Sequence, residues 1–173
     1  MLFRSGRAAH AGVEPEKGRS AILEAARIVE DLHELNGRWL LVYFGYASCK
    51  EICPAALTTM TAVLGRLGSA GNAIDPIFVS LDSEHDTPTV LKSFAASFHP
   101  RLRALTGSAE AVADAARTFE VPWQRTSGSV LDHGTLFYLV APDGHVAQVL
   151  HPQQSVADLA AAVAKRVSAA ATT

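Results

Sequence analysis

The chain is poor in the features that mark a disulfide scaffold, a membrane protein or a nucleic-acid binder. It has two cysteines in 173 residues, too few to staple a small scaffold together, so their value must be local. Its longest uninterrupted apolar runs, such as WLLVYF and LFYLVA, are strand length, far below the roughly 20 residues of a membrane-spanning helix. Fifteen Lys plus Arg stand against 17 Asp plus Glu, a net charge of -2. No basic excess therefore advertises a nucleic-acid surface or a polybasic membrane patch. The first residues, MLFRSGRAAHAGVEPEKGRS, contain basic side chains but no apolar stretch of about 7 to 15 residues, and as they stand do not read as a secretory signal. There is no internal repeat.

What remains is an ordinary globular composition, 49% hydrophobic and 18% charged, in a length that suits one domain with a well-buried core. Residues 1 to about 20 lack a period and read as a mobile N-terminal arm, leaving residues 21–173 as a single domain. RWLLVYF (Arg38 to Phe44) and AIDPIFVSL (Ala73 to Leu81) are near-continuous apolar runs, the mark of strands covered on both faces. Between them Leu57, Met60, Leu64 and Leu67 recur at helical spacing from Pro54 until Gly68 and Gly71 end the pattern. A strand, helix, strand unit of this kind predicts a parallel crossover.

Thr87 with Pro88 predicts the capped start of a second helix carrying Leu91, Phe94, Ala95 and Phe98. A short strand in RLRALTG precedes a third helix capped by Ser108, bearing Val112, Ala116 and Phe119 and ended by Pro122. APDG between TLFYLV and HVAQVL predicts a hairpin over Thr135 to Leu150. Ser155 and Asp158 resemble a capping box for a last helix with Val156, Leu159, Val163 and Val167 inward. The order β, α, β, α, β, α, β, β, α is that of an α/β thioredoxin-like domain, a mixed central sheet flanked by helices, with one added strand and helix.

Both cysteines lie in FGYASCKEICPAAL, Phe44 to Leu57, at the junction of the first core strand and the first helix. Open α/β sheets react at the carboxyl ends of their strands. A helix start also offers free N–H groups and a positive dipole end, which favour thiolate over thiol. Cys49 and Cys53 are one helical turn apart, close enough to share a disulfide or one metal ion. Two small buried residues are the plain alternative, although Lys50 and Glu51 between them do not suit a core position. As soft ligands they suit Cu(I) or Zn(II), and two thiolates complete neither site. Of seven histidines, His10, His33, His85, His99, His145 and His151 read as solvated surface residues. His133, in SVLDHGTLFYLV, stands immediately before a core strand, either as a further ligand or as a turn residue bonded to Asp132.

Taken together these stretches resemble the Sco/SenC family of copper chaperones. LLVYFGYASCKEICPAALTTM is similar to that family's F-G-Y-x-x-C-x-x-x-C-P segment, and PIFVSLDSEHDTP to its strand ending in Asp followed by D-T-P. FHPRLRALTGSAEAVADAARTFEV resembles its F-x-P-x-x-x-x-L-T-G run and helix, and VLDHGTLFYLVAPDGHV its D-H motif, strand and P-D-G turn. The resemblance spans about residue 38 to the end. It implies Cys49, Cys53 and His133 as ligands of one copper ion, Cu(I) or Cu(II), and Asp82 as an acidic residue near that site or at a partner surface. It implies delivery of copper to the copper A subunit of cytochrome c oxidase or exchange with another copper or thiol chaperone. It further implies a monomer in the periplasm or facing the cell envelope.

The chain departs from the family pattern at its start, where AILEAARIVEDLHELNGRW replaces the usual opening hairpin in shortened form, and in the compact RTSGSV loop before Asp132. The competing reading is a thiol-disulfide oxidoreductase using the redox-active pair Cys49 and Cys53 alone. Against it stand the three-residue spacing and the absence of proline between Trp123 and Ala141, where thioredoxin-type oxidoreductases place a cis proline. A thioredoxin-class peroxidase would need Pro and Thr ahead of its reactive cysteine, and FGYASC supplies neither.

Overall fold

In a computed structural model of the chain, residue 35 and residues 37–125 and 131–170 are described. The expected N-terminal arm, most of the shortened opening hairpin and residues 126–130 of the compact loop lie outside the described residues.

The two apolar runs form β1 (Trp39–Gly45) and β2 (Ile74–Ser80), and both are buried almost throughout. They pair in parallel, Trp39 beside Ile74 through to Gly45 beside Ser80. The crossover between them is α1 (Ile52–Leu67) with a 3-10 turn, Gly68–Ala73. Helix α1 begins two residues before Pro54, so that Cys53 sits inside its first turn, where a proline costs no hydrogen bond. Gly68 closes it with φ 57, a left-handed conformation that glycine adopts without strain.

Thr87 caps α2 (Pro88–Ala96) through its side chain onto the Val90 N–H, and Pro88 occupies the first helical position as expected. After β3 (Arg103–Leu105), Ser108 caps α3 (Ala109–Thr118) in the same way. Next come β4 (Trp123–Arg125), β5 (Leu131–His133), β6 (Phe137–Val140), β7 (Val146–Leu150) and α4 (Val156–Ala170). The APDG turn closes with the Gly144 N–H on the Ala141 carbonyl, and the β6–β7 pair is antiparallel. Ser155 accepts the Asp158 N–H and donates to its carboxylate, half of a capping box.

The main sheet runs β3-β2-β1-β6-β7, so β1 lies at its centre and is hydrogen-bonded on both sides. Side chains alternate along a strand. Leu40, Val42 and Phe44 face the cluster of Val112, Ala115 and Ala116 from α3, whereas Leu41 and Tyr43 face the cluster from α1, α2 and α4. Cys53 belongs to this second cluster. This is the expected thioredoxin-like arrangement with one correction. The sequence predicts His133 in a loop before β6, whereas it ends β5, which pairs with β4 in a separate two-stranded ribbon, Trp123 beside His133.

Candidate functional site

Three segments meet at the carboxyl end of β1. The first is the loop from Tyr46 into the first turn of α1, carrying both cysteines. Gly45 permits it: a Cβ there would sit 2.7 Å from Cys53 Sγ and 3.0 Å from the Phe78 ring. Strand end and helix start can close together only because that side chain is absent.

Helix α1 has no side-chain cap from Glu51, and the Cys49 sulfur takes that place. The Cys53 N–H donates to Cys49 Sγ at 3.3 Å. Half-burial works to raise the Cys49 thiol, but backbone donation from Cys53, Glu51 and Ile52, together with the Cys53 thiol, prevails and holds it below an ordinary cysteine. Cys53 is the reverse case. It is fully buried, and burial pushes its thiol up to about 12 despite a hydrogen bond from the Tyr46 backbone. Both sulfurs are free thiols.

The second segment is the end of β5. His133 Nε2 lies 3.6 Å from Cys53 Sγ, and Nδ1 lies 3.0 Å from the Gly134 carbonyl. A carbonyl only accepts, so Nδ1 is the donor, and in the neutral imidazole Nε2 turns its lone pair toward the sulfur. The ring stands edge-on to Tyr43 and Tyr46, with centroids 6.2 Å and 5.7 Å away. Its backbone is fixed by the Gly134 N–H on the Pro122 carbonyl at 2.8 Å, and a Cβ at Gly134 would meet Pro122 Cδ at 2.9 Å. The alternative role for His133, a turn held by Asp132, rests on a side chain that lies outside the described residues. An open groove of about 510 Å³, lined by Pro122, Trp123, Gln124, His133 and Gly134, borders the imidazole.

The third segment follows β2. Asp82 is buried, and its carboxylate pairs with His85 Nδ1 at 2.9 Å. His85, expected as a solvated surface residue, is exposed yet engaged with Asp82. Glu84 completes a group whose ligand atoms all lie within 4.8 Å of one another.

Asp86, which sequence reasoning passed over, has a clear part in the architecture. Its buried Oδ2 accepts the Ala47 N–H at 2.8 Å and the Ser80 hydroxyl at 2.6 Å, tying the cysteine loop to the end of β2. Ser80 Oγ in turn accepts the Asp82 N–H. The only signal for it was DTP, read as a helix cap. The β4–β5 ribbon was also missed, although WQR and VLD around TSGS carry a weak hairpin pattern.

Two outcomes follow from this geometry. At about pH 8 the reduced protein, given less than one equivalent of iodoacetamide, is labelled first at Cys49, the sulfur richer in thiolate. Peptide mass mapping that finds Cys53 labelled first contradicts it. Asp86→Ala, which strands the Ala47 N–H and the Ser80 hydroxyl, lowers stability by about 2 to 4 kcal/mol in urea unfolding.

Known proteins resemble the chain throughout this region. The SCO1/SenC family model matches residues 26–168. The human mitochondrial protein SCO1 homolog is 33% identical over 135 residues, 74% of this chain and 45% of its own length. The chain spans about half the length of the curated relatives it matches. Arabidopsis thaliana ScoI, solved with copper bound, superposes with a TM-score of 0.73 at 30% identity, over 78% of this chain and 86% of that one. BsSco, described as a cytochrome c oxidase assembly protein with a disulfide switch, gives 0.65 at 28% identity over 79% and 84%. With its family model covering the sheet, both cysteines and His133, the chain belongs to the SCO1/SenC family.

Proposed function

We propose that the protein is a copper chaperone that holds one Cu(I) between Cys49 Sγ, Cys53 Sγ and His133 Nε2 and passes it on as cargo. The observation that carries this reading is the approach of His133 Nε2 to Cys53 Sγ at 3.6 Å, with Nδ1 engaged by the Gly134 carbonyl. An imidazole held this way offers a neutral nitrogen to a soft metal already attracted by two sulfurs. Copper-bound relatives, including Arabidopsis thaliana ScoI and yeast Sco1, support the same reading. Binding releases the thiol protons, so loading requires both sulfurs reduced and is favoured as pH rises.

The geometry suits transfer as well as capture. Cys53 is fully buried and anchors the site, while Cys49 is partly open and His133 borders a groove on the surface. An incoming thiolate, imidazole or thioether can add from that side before Cys49 and His133 let go. The recipient we infer is the copper A subunit of cytochrome c oxidase or another copper or thiol chaperone, met as a monomer on the periplasmic or envelope side. Among the described residues no helix is long and apolar enough to cross a membrane. Asp82, buried and paired with His85, is assigned to the surroundings of the metal or to partner contact.

A second reading has its own observation. The lowered Cys49 and the raised, buried Cys53 form the unequal pair that a dithiol reductant uses, one sulfur attacking and the other resolving. The protein then gives up two electrons and two protons as its disulfide closes. Both activities share the same sulfurs, and His133 separates them.

Anaerobic Cu(I) titration of the reduced protein against a competing chelator decides between the two. Wild type binds one equivalent tightly. Cys49→Ser and His133→Ala each weaken binding by at least about a hundredfold, since even outer partners of a metal site are worth roughly 10- to 100-fold. If His133→Ala binds copper as well as wild type, the three-ligand site is wrong and the reductant reading takes its place.

A further inference from the structure

Tyr43 lies wholly inside the core, in the strand that leads to the cysteine loop. Among the described residues its hydroxyl makes no hydrogen bond of good geometry, although the Cys53 thiol is close enough to act on it. A buried hydroxyl left in this state is costly, and native cores rarely keep one without a reason.

The surroundings of the phenol indicate that reason. Its ring is edge-on to His133, edge-on to Phe137 at 5.6 Å and stacked on Phe78 at 6.4 Å. Cys53 Sγ and Tyr43 Cε1 border the same small space above Gly45, at 2.7 Å and 3.2 Å from where its Cβ would be. The phenol is thus shut in with the Cys53 sulfur, and a phenol O–H is a donor. A neutral buried thiol is a poor acceptor for it, whereas a metal-bound thiolate is a good one.

We propose that Tyr43 is a positioning residue of the copper site, its hydroxyl donating to Cys53 Sγ once that sulfur is a copper-bound thiolate. The inference rests on the copper reading above. On loading, the Cys53 proton leaves to solvent and Tyr43 keeps its own, so no redox step is involved. The unsatisfied donor of the metal-free protein becomes satisfied in the loaded one, and that difference adds directly to copper affinity.

The test is Tyr43→Phe in the full chain, which removes one oxygen and keeps the ring. Three quantities are compared with wild type: the urea midpoint of the metal-free protein, Cu(I) affinity by chelator competition, and the thiolate-to-Cu(II) charge-transfer band. The midpoint stays the same or rises, because an unpartnered hydroxyl is lost. Cu(I) affinity falls about tenfold, equal to about 1.4 kcal/mol. The charge-transfer band moves to lower energy, because the thiolate lone pair loses a hydrogen-bond donor.

An unchanged affinity, an unchanged band, or a metal-free midpoint that drops would each overturn the proposal, the last by making Tyr43 a filler of the core. Wild type that binds copper one-to-one beside an indifferent Tyr43→Phe sinks this inference alone. Wild type that fails to bind sinks the copper reading, and the inference with it.

Discussion

The site depends on one close approach, the end of β1 against the first turn of α1. Gly45 has no side chain, and the Cys53 sulfur fills the space a Cβ would take. This contact puts Cys53 at the bottom of the site and turns the free N–H groups of the helix start toward Cys49. Asp86 holds the loop between them from the β2 side, through Ala47 and Ser80. The two sulfurs are consequently unequal before any metal arrives. One is anchored in the core and reluctant to ionise, and the other is half-open and primed by backbone donors. A soft cation that binds both must displace a proton from the lowered thiol and from the raised one, and the buried thiol resists the more.

His133 arrives by a different route, from a strand 80 residues beyond Cys53. Its ring is constrained on every side that matters: Gly134 at Nδ1, Tyr43 and Tyr46 along its edges, and the Pro122 carbonyl behind the following amide. This support suits the proposed ligand role, since imidazole ligands are oriented through their other nitrogen. An open groove borders the imidazole among the described residues.

Much of this was legible in the sequence because local signals agreed with the global fold. Apolar runs marked β1 and β2, Thr87 with Pro88 and Ser108 marked two helix starts, and APDG marked the last hairpin. The cysteines could be placed at the strand-helix junction by the same reasoning. What could not be read were contacts made by burial. Asp86 looks like any acidic residue before a helix, and only the fold reveals that it bonds a loop 39 residues away. The β4–β5 ribbon is three residues per strand, too short for periodicity to announce. Tyr43 sits in an apolar run, where its hydroxyl is invisible to pattern and its neighbours are set by pairing across the sheet.

The central claim is that two sulfurs and one imidazole nitrogen close on a single copper. X-ray absorption at the copper edge of the reduced, Cu(I)-loaded protein measures that ligand set directly. The expected first shell is two sulfur scatterers and one nitrogen, with the nitrogen lost in His133→Ala. A first shell of sulfur alone in wild type, or a nitrogen that survives His133→Ala, would contradict it.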